Sequence, residues 1–275
     1  MFGWFKRHAA IRRHKEDTAN HPIRYIDGLP DEELDLLNDL LPWASYVNDA
    51  HGRRFGKPYS SKKRFAPEQI PDPRIVELNR RYPMRDLSIL EVGCFEGNHT
   101  VGLSMFSDRV TAIDSRIEHV VKTIVRTAMY GYRPHVFRMD LEQPFPDGLT
   151  FDLLHHVGVL YHLSNPVKHL NEILPHCTIL MLDTHVAAEE DRLHTFSHDG
   201  TDYRYKSYQE AGRPAPFAGM RDHAKWLLEK DLVKILENNG FSRIEVAQRR
   251  DERNGKRILL YAHKESCDHV TAKGC

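Results

Sequence analysis

The sequence predicts an α/β fold: a mostly parallel sheet of seven strands, with helices on both faces and an antiparallel hairpin at its C-terminal end. Between residues 87 and 183, apolar segments of strand length alternate with helical segments, which is typical of a parallel sheet covered by helices. Nearer the C-terminus, two further strand-like segments flank Asn254-Gly255, and Asn-Gly is the dipeptide most typical of a hairpin turn.

The alternating region contains five predicted strands, and the hairpin adds two. The strands are predicted at 88–92, 109–114, 135–139, 151–156, 178–183, 241–247 and 257–263. Apolar residues at helical spacing predict the helices between them. Three helices are predicted: one begins near Asn98, a second contains Val121, Ile124 and Ala128, and a third extends from Val167 to Leu174.

Two regions lie outside this alternation. Residues 1–82 are predicted to form an N-terminal helical arm and loop region, with one helix between Pro30 and Pro42. Residues 83–265 are predicted to form the α/β domain. Within it, residues 185–221 are expected to form a lid-like insertion, because long insertions at strand ends usually build binding sites.

Composition excludes some classes of function. The chain has 275 residues, a formal net charge of zero and four widely spaced cysteines. The neutral charge gives no overall attraction to nucleic acid or anionic membranes, although a local basic patch remains compatible with it. The cysteines are expected to be free thiols in a reducing compartment, which favours a cytoplasmic protein. No apolar run reaches the roughly 20 residues that a transmembrane helix needs.

The first residues, Met1 to Lys15, are apolar and then basic. This segment is too short and polar for a secretory signal. It is expected to pack on its own domain or on a second copy in a homo-oligomer; a membrane-surface helix is the alternative.

The segment Glu91 to Gly97 indicates a nucleotide-like ligand. Gly93 and Gly97 directly follow the first strand, where the absence of Cβ atoms lets a ligand approach the backbone. A helix N-terminus with free N–H groups is predicted next. Asp114 ends the second strand, where a carboxylate can accept hydrogen bonds from two ribose hydroxyls.

Two residues distinguish between cofactors. Phe95 stands where the dinucleotide pattern G-x-G-x-x-G needs a glycine. The carboxylate of Glu91 would oppose a pyrophosphate but can hold an ammonium group. The chemistry therefore favours S-adenosylmethionine (SAM). A purely structural role remains the alternative, with Gly93 and Gly97 as packing glycines and Asp114 as a strand-end cap.

Leu90 to Gly97 resembles the first motif of the class I SAM-dependent methyltransferases. Asp114 matches the acidic residue after their second strand, and Asp140-Leu141 matches the position that holds the adenine. The segment Gly158 to Leu163 is especially similar to the branch that contains the tRNA wobble-uridine carboxymethyltransferase, which uses carboxy-SAM. The resemblance covers about Leu87 to Asp183 and implies a Rossmann-like fold.

The resemblance implies SAM as cofactor and S-adenosylhomocysteine (SAH) as product, with carboxy-SAM as a minor alternative. The expected cofactor-binding residues are Glu91, Gly93, Cys94, Phe95, Gly97, Asp114, Ser115, Asp140, Leu141, Val157 and Tyr161. No metal site is predicted, because the histidines near residue 190 lack a recognisable ligand spacing.

Methyl transfer is an in-line displacement, in which the enzyme mainly aligns donor and acceptor. An oxygen or nitrogen acceptor also needs a base, for which histidine is suited near neutral pH. The predicted catalytic residues are His185 and His156, at the ends of two central strands, and Tyr161. His162 is a third choice of base.

The leading hypothesis is a methyltransferase acting on oxygen or nitrogen of a small molecule or glycan. The second is a tRNA-modifying enzyme that acts on wobble uridine with SAM or carboxy-SAM, suggested by Gly158 to His162 and the basic loop 53–64. The third is a non-catalytic binding protein that retains the fold. A nicotinamide dehydrogenase is disfavoured by Phe95 and Glu91.

Overall fold

The computed structural model describes residues 22–59 and 65–265. Its N-terminal part contains two helices with a short antiparallel hairpin between them. The elements are α1 (Asp31–Leu40), β1 (Tyr46–Asn48), β2 (Arg54–Gly56) and α2 (Pro73–Arg81). The hairpin corrects the expectation of a purely helical and loop-like region, because Phe55 is completely buried and β1 and β2 pair around a tight turn.

The alternating region follows, and the predicted strands and helices are present with shifts of a few residues. They are β3 (Ile89–Val92), α3 (Asn98–Ser104), β4 (Val110–Asp114), α4 (Ile117–Tyr130), β5 (His135–Arg138), β6 (Leu153–Val157), α5 (Pro166–Ile173) and β7 (Ile179–His185).

The insertion and the C-terminal end complete the chain. They comprise β8 (Leu193–His198), β9 (Thr201–Gln209), β10 (His223–Leu227), α6 (Glu229–Asn238), β11 (Phe241–Glu252) and β12 (Gly255–Lys264). Two strands of the insertion, β8 and β9, thus form a three-stranded antiparallel sheet with β10, in the order β10-β9-β8.

The central sheet has seven strands in the order β11-β12-β7-β6-β3-β4-β5. The five strands from β3 to β7 are parallel, whereas β12 pairs antiparallel with both β7 and β11. The predicted mostly parallel, Rossmann-like sheet with a C-terminal hairpin is therefore confirmed.

Successive residues of the buried strands face opposite sides of the sheet, as the two-residue strand period requires. Leu90 belongs to the core cluster that includes residues of α5 and α6. Its neighbour Ile89 belongs to the cluster that includes residues of α2 and α3. Helices therefore cover both faces, which explains why the strands are almost continuously apolar.

Some expectations fall on residues outside the described ranges. These include the proposed arm and oligomer contact at residues 1–21, and the cysteines Cys267 and Cys275. Cys94 and Cys177 are both buried and free. Within residues 22–59 and 65–265, no helix combines the length and apolar character that crossing a membrane requires.

Candidate cofactor cleft

A cleft of about 330 Å³ lies at the C-terminal ends of the parallel strands. Gly93 follows β3, Asp114 ends β4, Asp140 follows β5 and Val157 ends β6, and all four line it. The strand order reverses between β3 and β6, because the chain runs outward from β3 to β5 and then returns to β6. Open α/β sheets bind ligands at such a reversal point.

The cleft gathers all but one of the residues expected to bind cofactor. Those that line it are Glu91, Gly93, Cys94, Phe95, Asp114, Ser115, Asp140, Leu141, Val157 and Tyr161. Gly97 is the exception. It has a φ of +82°, and a Cβ there would lie 3.0 Å from the Cα of Thr123 on α4. Gly97 therefore permits the close approach of α4 and does not line the cleft.

The turn after β3 is held in an unusual backbone conformation. At Gly93, φ is +74° and a Cβ would lie only 2.2 Å from the Cγ2 of Val159, so a side chain does not fit. Phe95 has a φ of +51°, which is costly for a residue other than glycine. Its ring packs against His119 and Phe217, with centroid distances of 4.8 and 5.0 Å. We infer that these contacts offset the strain.

The carboxylate of Asp114 is fixed at the edge of this turn. Its Oδ2 accepts a hydrogen bond from the backbone N–H of Phe95 at 3.1 Å, and its Oδ1 accepts one from that of Arg116 at 2.9 Å. The Nδ1 of His119 is 3.2 Å from Oδ1. The carboxylate therefore has a defined orientation beside the cleft.

Glu91 is almost completely buried beside the turn. Its Oε2 accepts a hydrogen bond of 2.6 Å from the hydroxyl of Thr100. Burial raises the pKa of Glu91 to about 7, because the charged carboxylate loses contact with water.

A segment of the insertion covers the cleft, and we call residues 212–220 the roof. Its residues 216–220 line the cleft. The buried guanidinium of Arg116 donates hydrogen bonds to the roof carbonyls of Arg213, Ala215 and Ala218, the last two at 3.0 and 2.8 Å. Arg116 thus ties the roof to the end of β4. Sequence reasoning missed it because no motif marks this position.

The three predicted catalytic residues have different environments. Tyr161 lines the cleft, with the guanidinium of Arg257 5.3 Å from its ring centroid. His185 does not line the cleft: it lies behind Tyr161, stacked on Trp226 at 4.6 Å. His156 is completely buried and hydrogen-bonded to His169 at 3.0 Å. The structure therefore argues against His185 and His156 as bases, because neither ring reaches the cleft.

His162 is better placed than His185 or His156 to act as a base. It lines the cleft, and its Nδ1 is 2.8 Å from the Oε1 of Glu210, a buried carboxylate at the end of β9. The other oxygen of Glu210 accepts the backbone N–H of Gly219 in the roof at 3.2 Å. A carboxylate on Nδ1 leaves Nε2 as the acceptor of a proton. Nothing in the sequence signals Glu210, which lies 48 residues from its partner.

Asp183, at the C-terminal end of β7, is buried and contacts three arginines. Arg74 and Arg250 donate to it at 2.8 Å, and Arg257 donates a further hydrogen bond. Burial alone would raise the pKa of Asp183, but the guanidiniums, Arg257 first, hold it below its ordinary value. Arg74 and Arg257 also line the cleft, and the carboxylates of Asp72, Asp183 and Glu252 pair with these two guanidiniums.

The basic loop is less available than the sequence suggested. Arg53 donates to Asp49 and Asp31 at 2.8 and 2.9 Å, and also to backbone carbonyls, while Lys57 pairs with Asp39. These cations hold the N-terminal region together. Arg54 lies over the ring of Tyr46, 5.2 Å from its centroid, and Lys62, Lys63 and Arg64 lie outside the described ranges.

The region that forms the cleft matches a known family, and the chain is similar to several known proteins. Residues 90–176 match the family model described as a methyltransferase domain. This domain belongs to the class I SAM-dependent methyltransferases. The chain is 32% identical over 186 residues to the tRNA U34 carboxymethyltransferase of Aliivibrio salmonicida (strain LFI1238), and this match covers 66% of this chain and 51% of the relative. The corresponding protein of Shewanella loihica (strain ATCC BAA-1088 / PV-4) is 27% identical over 151 residues, 53% of this chain and 42% of the relative. The chain thus spans about half the length of these curated relatives.

Solved structures show the same fold. The N-terminal domain of EvdMO1, crystallised in the presence of SAH and D-fucose, superposes with a TM-score of 0.71 at 24% identity. The match covers 85% of this chain and 96% of that one. Magnesium protoporphyrin IX methyltransferase from Synechocystis PCC 6803, with bound SAH, gives a TM-score of 0.50 at 17% identity over 70% of this chain and 80% of that one.

Proposed function

We propose that this protein transfers the methyl group of SAM to an oxygen or nitrogen atom of a small-molecule acceptor, with a sugar as the favoured class. The observation that carries the proposal is the roofed cleft at the strand-order reversal, lined by the SAM-type residues Gly93, Asp114 and Asp140. Its volume is within the range of small-molecule sites. The crystallisation of the EvdMO1 domain with SAH and D-fucose supports a sugar acceptor.

The proposal assigns a part of the donor to each side of the cleft. Asp140 and Leu141 would hold the adenine, and Asp114 would accept hydrogen bonds from the ribose hydroxyls. Gly93, where the missing Cβ leaves room, would let the methionine end approach the backbone. Phe95 and the roof exclude water above the donor, which strengthens electrostatic interactions inside the cleft.

His162 is the proposed base. Bound SAM would supply its methyl group to the acceptor oxygen or nitrogen, and SAH would be the leaving group that keeps the electron pair of the broken S–CH₃ bond. The acceptor proton passes to Nε2 of His162, while Glu210 orients the ring through Nδ1. Tyr161 borders the same space. This role replaces those first expected for His185 and His156.

Calorimetric titration with SAM and SAH tests the cofactor assignment. Wild type is expected to bind both, and Asp114→Asn to bind at least about tenfold more weakly, since a hydrogen bond to a charged group contributes about 1.5–3 kcal/mol. Asp108→Asn, an exposed carboxylate before β4, is the matched control and should bind as wild type does. Wild-type protein that binds neither ligand would refute the proposal.

A second candidate is modification of wobble uridine in tRNA with carboxy-SAM. The similarity to tRNA U34 carboxymethyltransferases supports it, and so do the guanidiniums of Arg74 and Arg257, which line the cleft and suit a carboxylate. It predicts tighter binding of carboxy-SAM than of SAM, and tRNA affinity that falls steeply with salt. Equal donor affinities together with no tRNA binding at low salt would exclude it.

A further inference from the structure

Three side chains of metal-ligand type meet beside the cofactor cleft. They are Glu91 on β3, His155 on β6 and His99 in the first turn of α3. One ligand atom from each lies within 4.8 Å of the other two. Glu91 and His155 are paired neighbours on adjacent parallel strands, so the backbone of the sheet fixes their separation.

His155 provides the second, independent observation. It is completely buried, and within the described residues both of its ring nitrogens lack a hydrogen-bond partner. Buried polar groups in folded proteins are nearly always paired, so two orphaned nitrogens in one ring need a physical explanation. His155 does not line the cleft, so a donor bound in the cleft would not satisfy its nitrogens. A metal ion between His155 and Glu91 would satisfy one of them.

The surroundings of His99 also fit the role of a metal ligand. Its Nε2 is 3.3 Å from the Oδ2 of Asp72 and 3.3 Å from the Nη2 of Arg74, which itself holds Asp72 through two side-chain hydrogen bonds. A proton on Nε2 that is donated to Asp72 leaves the lone pair on Nδ1. Histidines that bind metals typically donate their other N–H to a carboxylate, which fixes the tautomer.

The charge around the three side chains and the number of ligand atoms they offer also suit a metal ion. Asp72 and Asp183 both pair with Arg74, so this guanidinium does not leave a net positive charge beside the cluster. The hydroxyl of Thr100 occupies one oxygen of Glu91 and leaves the other for a further ligand. Since Glu91 and His99 line the cleft, a fourth coordination position would face it.

We propose that Glu91, His99 and His155 bind a divalent transition-metal ion, with Zn²⁺ as the best match. Two imidazoles and one carboxylate form a recognised zinc ligand set, in which a fourth position stays open to water or substrate. Zn–ligand bonds of about 2.0–2.2 Å need the three ligand atoms to move somewhat closer together than 4.8 Å. We expect rotation of the two imidazole rings on metal binding to bring the ligand atoms to this distance. The site differs from the expectation of no metal, which considered only the histidines of the insertion.

Titration of metal-free protein with Zn²⁺ tests the site, and Co²⁺ absorption reports its geometry. Wild type is expected to bind one ion tightly. His99→Gln and His155→Gln should lose this binding and the Co²⁺ spectrum, and Asp72→Asn should weaken binding by about 10- to 100-fold. His223→Gln is the matched control, because His223 also pairs with an aspartate, Asp222, but on the surface.

The choice of variants separates loss of the site from loss of the fold. His99 is partly exposed, so His99→Gln is expected to fold, and circular dichroism checks both histidine variants. Unchanged Zn²⁺ affinity and Co²⁺ spectrum in folded His99→Gln would overturn the proposal. SAM titration of the same variants keeps the two hypotheses distinct, since failure of zinc binding leaves the SAM result of wild type unaffected.

Discussion

The Nζ of Lys122 on α4 donates a hydrogen bond of 2.8 Å to the carboxylate of Glu96, and both side chains are buried. Glu96 belongs to the turn that lines the cofactor cleft. The same carboxylate accepts the backbone N–H groups of Ala44 and Ser45, at 2.8 and 2.9 Å. A residue between the two glycines of the cofactor motif therefore joins the motif to the N-terminal region, which the sequence suggested to be a separate arm.

Removing this carboxylate should be strongly destabilising. Glu96→Ala leaves the cation of Lys122 buried without its counter-charge, so the free energy of unfolding is expected to fall by about 3–5 kcal/mol. Urea unfolding followed by circular dichroism measures the loss. In contrast, Glu77→Gln removes surface pairs with Arg80 and Arg81 and should cost much less, because water screens charges at the surface. Similar losses of unfolding free energy in both variants would show that burial of the Glu96–Lys122 pair does not cause the larger loss.

The contact between Arg116 and the roof should influence cofactor affinity. Arg116→Ala keeps the backbone N–H that orients Asp114 but removes the hydrogen bonds to roof carbonyls. SAM affinity is expected to fall about tenfold or more, because charge-assisted hydrogen bonds contribute about 1.5–3 kcal/mol each. Calorimetry measures the affinity, and limited proteolysis should show faster cleavage at 212–220.

Arg109→Ala provides the comparison, since Arg109 is exposed and donates to the carbonyl of Asp86. Its affinity for SAM should match that of wild type. If Arg116→Ala also matched wild type, the roof would not contribute to cofactor binding.

The assignment of His162 as base predicts a specific kinetic defect. His162→Gln is expected to lower kcat by about 10²- to 10⁴-fold, the usual contribution of general base catalysis. The affinity for SAM should change little, because Asp114 and Asp140 are untouched. Glu210→Gln should give a smaller decrease, since the ring remains but loses its orienting charge.

Once an acceptor is identified, steady-state kinetics and SAM titration separate these effects. His223→Gln serves as the control, because His223 is exposed and outside the cleft. A variant His162→Gln with wild-type kcat would exclude His162 as the base.

Buried histidines should make stability depend on pH. Burial lowers the pKa of His169 from 6.5 to about 4, although a hydrogen bond to Leu141 opposes the shift. Between these values the unfolded chain binds the proton more readily than the folded protein does. The folded protein therefore keeps its full stability with respect to His169 above pH 6.5. As pH falls towards about 4, its free energy of unfolding decreases by up to about 3 kcal/mol.

Unfolding free energies measured across this interval test the effect. His169→Gln removes the titrating group and should flatten the curve, whereas His135→Gln, an exposed histidine on β5, should leave its slope unchanged. An identical slope in wild type and His169→Gln would show that other groups dominate acid unfolding.

Local patterns were sufficient for most of the fold and the cofactor cleft. The strands are short, apolar and separated by helices, so their positions can be read from the sequence. Gly93, Asp114 and Asp140 lie at the ends of three such strands, and parallel strands bring these ends to one edge of the sheet. Gly97 was assigned correctly to the turn but not to the cleft, because its contact with Thr123 on α4 has no local signature.

The catalytic candidates show where local patterns are insufficient. His156 and His185 both lie at or near strand ends, yet one ring points into the core towards His169 and the other stacks on Trp226. His162 faces the cleft, because residues of the insertion, Glu210 and Gly219, contact it. A position near a strand end therefore does not reveal which way a side chain faces.

The sequence by itself determined the α/β class, the order of the strands along the chain and the turn that marks the SAM-type cleft, because these depend on residues close together in the chain. Only the tertiary structure decided which histidine reaches the cleft, how Arg116 fixes the roof, and that Glu91, His99 and His155 converge. Those relationships join residues up to about 100 positions apart, as Arg116 and Ala218 do. They depend on how the sheet, the helices and the insertion pack together, for which short-range sequence patterns carry no signal.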